Sequence, residues 1–145
     1  MLQPDSRTDT RQLFFEVWRK LEADAPLSAL ETIVADVIRQ HPEYHPLLAG
    51  DPATALDRDW RPEGGETNPF LHLGLHIALR EQLSIDRPAG IKQAYAKLLA
   101  HTGEPHAAEH EMLECLAEAL WQAQRAGRLP DEQAYLACLR SRAGK

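Results

Sequence analysis

The sequence has little of what marks a secreted, membrane-spanning or nucleic-acid-binding chain. It holds only two cysteines, Cys115 and Cys138, too few for the disulfide framework of a small exported protein. Each lies inside an apolar helical pattern, so two buried free thiols are expected. Aromatic residues make up 6% of the chain, and a core must therefore be built largely from aliphatic side chains. Charges interrupt every apolar run well short of the ~20 residues that span a bilayer. The opening residues, MLQPDSRTDTRQ, lack the apolar centre of a signal peptide. A cytoplasmic protein with no membrane partner is expected. Excess positive charge is missing too: the formal net charge is -6, and Arg140, Arg142 and Lys145 are too few to make a nucleic-acid footprint. No phosphate loop, dinucleotide fingerprint, nucleophile elbow or cysteine zinc motif occurs.

Period-two alternation is also absent over any useful length, whereas a period near 3.6 recurs throughout. Leu13, Phe14, Val17, Trp18 and Leu21 form one apolar stripe, preceded by a segment, 1–9, expected to be loose. Ser28 and Glu31 make a capping box that opens a second helix, with Leu30, Ile33, Val34, Val37 and Ile38 on its inner face. Pro42 ends it. Prolines break HPEYHPLLAGDP, leaving room for one short turn around 53–56, and the irregular loop DRDWRPEGGET follows. Asn68 and Pro69 then read as the cap and first residue of a third helix, reaching Ser84. A fourth is expected from Pro88 to Gly103, a fifth from Pro105 to Arg125 with Gly127 as its stop, and a sixth from Pro130 to Arg140. With 145 residues and no repeat or linker, the expectation is one all-α domain, a bundle of five to six helices.

Seven histidines scattered at random over this length would give about a third of one pair spaced four apart. Three such pairs are present, His41/His45, His72/His76 and His106/His110. On a helix, residues four apart differ by about 40° and rise about 6 Å, so both rings face one way. Neutral imidazole is the commonest side-chain ligand for transition metals. If successive helices run up and down, the third and fifth are parallel, and both pairs lie in their first two turns. His72, His76, His106 and His110 are therefore expected as metal ligands. Glu114, one further turn along, would add a carboxylate. The zinc or iron/manganese of bundle-type centres accepts this set. His41 and His45 are possible additional ligands, although Pro42 and Pro46 deny them a continuous helix. The bland alternative is a buried polar network in which the imidazoles bond to carboxylates and backbone.

HAAEH also fits the inverted zinc-peptidase pattern H-x-x-E-H, in which the glutamate beside the second histidine activates water. Those enzymes need a third ligand far downstream, and too little chain follows His110 to supply it. The chemistry stands apart from the family: Glu109 beside a metal-bound water is a candidate catalytic base. Arg80, one turn beyond His76, would pair with a carboxylate or hold an anionic ligand. Trp60, Glu63 and Glu66, in the loop before the third helix, would cover the site as a lid or simply connect.

At FFEVWRK, HPEYHPLL, TNPFLHLGLHIALREQLSIDRP and HEMLECLAEALWQAQRAGRLPDEQAYLACL, the chain resembles a bacterial family catalogued as domain of unknown function 1841. The resemblance covers nearly all of the chain and implies a small cytoplasmic bacterial protein, with no activity and no catalytic residues to carry over. Two functions from different classes follow. One is a metal-binding bundle, extending to a metal-dependent hydrolase or oxidoreductase acting on a small molecule. The other is a non-enzymatic protein-interaction module with a structural histidine network and a partner surface near Trp18 or Trp60. A histidine pH sensor is a third possibility.

Overall fold

The computed structural model describes residues 6–58, 60 and 68–144. Among these residues the secondary structure is helical and no strand occurs. The elements are α1 (Ser6–Glu22), α2 (Ala29–Arg39), a 3-10 turn (Pro42–Tyr44), α3 (His45–Ala49), α4 (Pro52–Asp57), α5 (Pro69–Ile85), α6 (Ile91–Thr102), α7 (Pro105–Ala126) and α8 (Glu132–Ala143). They form two compact units, Met1–Ile77 and Ala78–Lys145. α5 runs across the boundary and gives its first turns to one unit and its last turns to the other.

Cap chemistry explains most helix boundaries. Ser28 and Glu31 form both halves of the capping box on α2, as the sequence pattern requires. The Asn68 carboxamide accepts from the amides of Phe70 and Leu71 at 3.0 and 3.2 Å, with Pro69 at the first helical position. Glu104 caps α7 by accepting from the amides of His106 and Ala107, and Gly127 ends that helix at φ 66°, where a side chain would be strained.

Three starts differ from expectation. α1 begins at Ser6, inside the segment read as loose. α6 begins at Ile91 rather than Pro88, because the Asp86 carboxylate accepts from the amides of Gly90 and Lys92 and ties the preceding residues into a turn. α8 begins at Glu132, one residue after Asp131, whose side chain accepts from the Ala134 amide.

In the first unit, Phe14, Phe15 and Val17 of α1 pack against Val34, Ala35, Val37 and Ile38 of α2, with Leu48, Ala55, Phe70 and Leu73 closing the core. Arg11 is buried among them at 2% exposure. Its Nη1 reaches the carbonyl oxygens of Ala55, Leu56 and Arg58 at 2.8 to 3.1 Å, and its guanidinium lies over the Phe70 and Trp60 rings. Burial of so polar a group is stable because its donors find acceptors. It holds the carboxyl end of α4 against α1, and Trp60 sits over it as packing. Glu63 and Glu66 lie outside the described residues.

The second unit packs Ile91, Ala94 and Leu98 of α6 against Met112, Leu116 and Ala123 of α7 and Tyr135, Leu136 and Leu139 of α8. Here the reading of Cys115 and Cys138 as free thiols is overturned: they form a disulfide, with Cα atoms 5.9 Å apart, inside the range a bridge requires. The turn after Gly127 folds α8 back along α7 and brings Cys138 onto Cys115. Apolar surroundings, which pointed to buried thiols, are equally those of a bridge between two packed helices. Burial at this unit also raises the Tyr135 hydroxyl above its ordinary pKa by desolvation, and that hydroxyl donates to Gln82 Oε1 at 2.9 Å.

Candidate metal centre

His72 and His76 sit on the first turns of α5, and the cap at Asn68 sets the direction in which that helix starts. Their rings lie 4.8 Å apart centroid to centroid, and their Nε2 atoms are separated by 3.2 Å. His76 is fully buried, whereas His72 is half-buried. Both therefore point the same way, as a spacing of four on an unbroken helix demands.

His41 comes to them from another element. It follows the end of α2 with φ -126° and ψ 65°, outside helical geometry, and Pro42 prevents the helix from continuing. The ring is 1% exposed and stands 5.0 Å from His72 and 4.5 Å from His76, edge-on to both. Tyr44 stacks on its other side at 5.7 Å, and desolvation raises the Tyr44 hydroxyl above its usual pKa. His41 Nδ1 lies 2.8 Å from the Val37 carbonyl oxygen. A carbonyl only accepts, so Nδ1 carries the proton, and in the neutral ring Nε2 holds the lone pair. One ring nitrogen from each of the three histidines lies within 4.8 Å of the others.

His45 goes elsewhere. Its Nε2 donates to the Ile38 carbonyl oxygen at 2.8 Å, and its ring packs on Trp18 at 4.8 Å. His101 is exposed at the end of α6.

In the second unit His106 and His110 also share one face of a helix, with ring centroids 4.1 Å apart. Glu109, between them in sequence, faces a different neighbour: its Oε1 accepts from Arg80 Nε at 3.3 Å, with only 8% of the Glu109 side chain exposed. Tyr95 lies in this environment, and its hydroxyl pKa is raised by desolvation first and by the Glu109 charge second. Glu114 is turned toward α8. It accepts from Arg142 Nη1 at 2.6 Å and is 62% exposed, and the same guanidinium donates to Glu111. Those two carboxylates raise the Arg142 pKa, Glu114 the more strongly.

The sequence had marked His41 only as a possible addition, and the structure gives it a central place in the first unit. The signal for it was the Pro42 break itself, which turns the chain back at a histidine immediately after an amphipathic helix. Among the described residues no helix is long and apolar enough to cross a membrane.

Neither a curated protein nor a solved structure matches the chain. The family model described as Domain of unknown function (DUF1841) matches residues 6–141, and the chain belongs to that family.

Proposed function

We propose that this protein binds a transition-metal ion through His41, His72 and His76 of the first unit. One observation carries the reading. Three imidazoles from two separate elements converge inside the first unit, two of them essentially inaccessible to solvent. Crowding three basic rings out of water has a desolvation cost that a shared cation repays and a purely apolar packing role does not. The 3.2 Å between Nε2 atoms is close to the ~3.3 Å edge of a tetrahedron drawn with metal–nitrogen bonds of 2.0–2.1 Å. The bond from His41 Nδ1 to the Val37 carbonyl supplies the outer partner that metal-bound imidazoles usually have, and it leaves Nε2 as the ligating atom.

His106 and His110, one turn apart on the first turns of α7, are by spacing a second candidate pair within the second unit. Glu114, held by Arg142, is left out of the ligand set. Imidazole donors suit zinc, iron and manganese in differing degree, and availability weighs as much as affinity. An all-imidazole set is neutral, so a bound divalent ion would keep its full charge and acidify a coordinated water or engage dioxygen. Chemistry on a small molecule would follow from that. In the second unit Glu109 is held by Arg80, and it takes up a proton only if that pair opens.

Elemental analysis of the untagged protein, purified without chelator and without a metal-affinity step, tests the proposal. About one equivalent of zinc, iron or manganese is expected. A metal-free protein that also takes up none of the three when they are added would overturn it. The histidines would then be a hydrogen-bonded core network.

A further inference from the structure

The two residues of the Cys115–Cys138 bridge are unequally exposed. Cys115 is 1% exposed, whereas Cys138 is half-buried. Both line an open cavity of about 140 Å³ between α7 and the turn into α8, together with Ala119, Gln122, Arg128 and Tyr135. That volume is close to the ~150 Å³ of an engineered cavity that takes up benzene. Because it is open, the thiol arm of a small peptide thiol enters it, whereas a folded protein is excluded. Glu118, Arg128 and Asp131 also line it, which leaves the lining with one net negative charge.

We propose that this cavity is a thiol–disulfide exchange site, at which a low-molecular-weight thiol reduces the bridge through a mixed disulfide on Cys138. Exchange goes to the sulfur that the attacking thiolate reaches, assigned here to Cys138, the more exposed of the two residues. The incoming thiolate forms a bond to Cys138 Sγ, the Cys115–Cys138 bond breaks, and Cys115 leaves with the electron pair and takes a proton from water. A second small thiol then attacks the small-molecule sulfur of the adduct and releases Cys138 as a thiol. Two small thiols are oxidised to their disulfide while the protein bridge gains two electrons and two protons. The buried Cys115 thiol is a poor nucleophile, so its return attack is slow and the adduct on Cys138 accumulates between the two steps. In a compartment rich in such thiols the bridge is then a reversible modification site rather than a permanent staple. This inference concerns the second unit alone and does not depend on metal binding.

The test is incubation of the native protein, without denaturant, in glutathione buffers of graded reduced-to-oxidised ratio. Acid quenching and peptide mass mapping then locate the adduct, and far-UV circular dichroism follows helicity. The adduct is expected on Cys138, with Cys115 as the free thiol and helicity retained. In the single variants, Cys138 of Cys115→Ser should react with a chromogenic disulfide at least about tenfold faster than Cys115 of Cys138→Ser. An adduct on Cys115, an adduct forming only as helicity is lost, or a bridge that glutathione leaves intact would each overturn the proposal. Should a variant fail to fold, the adduct position in the unaltered protein still decides.

Discussion

His72 and His76 occupy one continuous helix, whereas His41 and His45, at the same spacing, are separated by Pro42 and a 3-10 turn. The first pair presents both rings to one point. The second pair divides: His41 turns toward the α5 histidines, and His45 stacks on Trp18 and donates to the Ile38 carbonyl. Spacing four apart is thus informative only where the backbone between is helical. Where it is broken, each ring is placed by its own hydrogen bond, and the break itself lets one ring cross to another element.

The sharpest way to break this comparison is to remove one ring from each pair. His76→Ala should lower metal affinity by more than the 10–100-fold that loss of an outer hydrogen-bond partner costs, whereas His45→Ala should leave metal content unchanged. Isothermal titration with zinc of metal-depleted protein measures both. Equal losses would mean that the pairs are equivalent and that the division seen in the structure has no bearing on binding.

Next in size is Arg11→Met, which tests the frame rather than the rings. It removes the donor shared by three carbonyls around α4 and leaves buried acceptors unsatisfied, at a cost of about 2–4 kcal/mol. Chemical denaturation should show that loss. Metal bound per folded molecule should not fall, because the carbonyls that Arg11 holds belong to α4 and Arg58 rather than to the elements that carry the three imidazoles. A smaller effect is expected at the start of α2, the helix that delivers His41. Ser28→Ala removes its cap and should cost about 1 kcal/mol, or roughly 2–4 °C in melting temperature for a chain of this size.

The smallest effect concerns the second unit and depends on pH. Backbone amides, that of Lys92 first, hold the Asp86 carboxyl below its ordinary pKa. A carboxyl whose folded value is depressed contributes stability above its unfolded pKa of about 3.9, and that contribution is lost as pH falls through the lower folded value. Asp86→Asn should therefore flatten the acid limb of the stability profile and leave the neutral region nearly level. An unchanged acid limb would show that the carboxylate does not organise the start of α6.

Much of the fold was legible because its boundaries rest on local chemistry. The Ser28–Glu31 box, Asn68–Pro69 and Gly127 each act through hydrogen bonds or backbone preferences reaching only a few residues. The Asp86 turn is not legible locally because its carboxylate reaches forward as far as Lys92, beyond any single-residue cap signal. The disulfide was hidden for a different reason. Whether two cysteines on neighbouring helices touch depends on how α8 folds back along α7, and an apolar surrounding reads the same for a thiol and a bridge. The site was legible in part. The His72/His76 pair followed from periodicity, whereas His41 and the partners of Glu109 and Glu114 depended on tertiary placement. Arg80 and Arg142, far from those carboxylates in sequence, take them up.

The most direct test of the central claim is metal stoichiometry in three untagged proteins prepared side by side: unaltered, His41→Ala and His45→Ala. Binding at the converged imidazoles predicts metal in the first and third and loss from the second, with helicity equal in all. Full metal content in His41→Ala would contradict it, because the histidine that the proline break carries to α5 would then hold nothing.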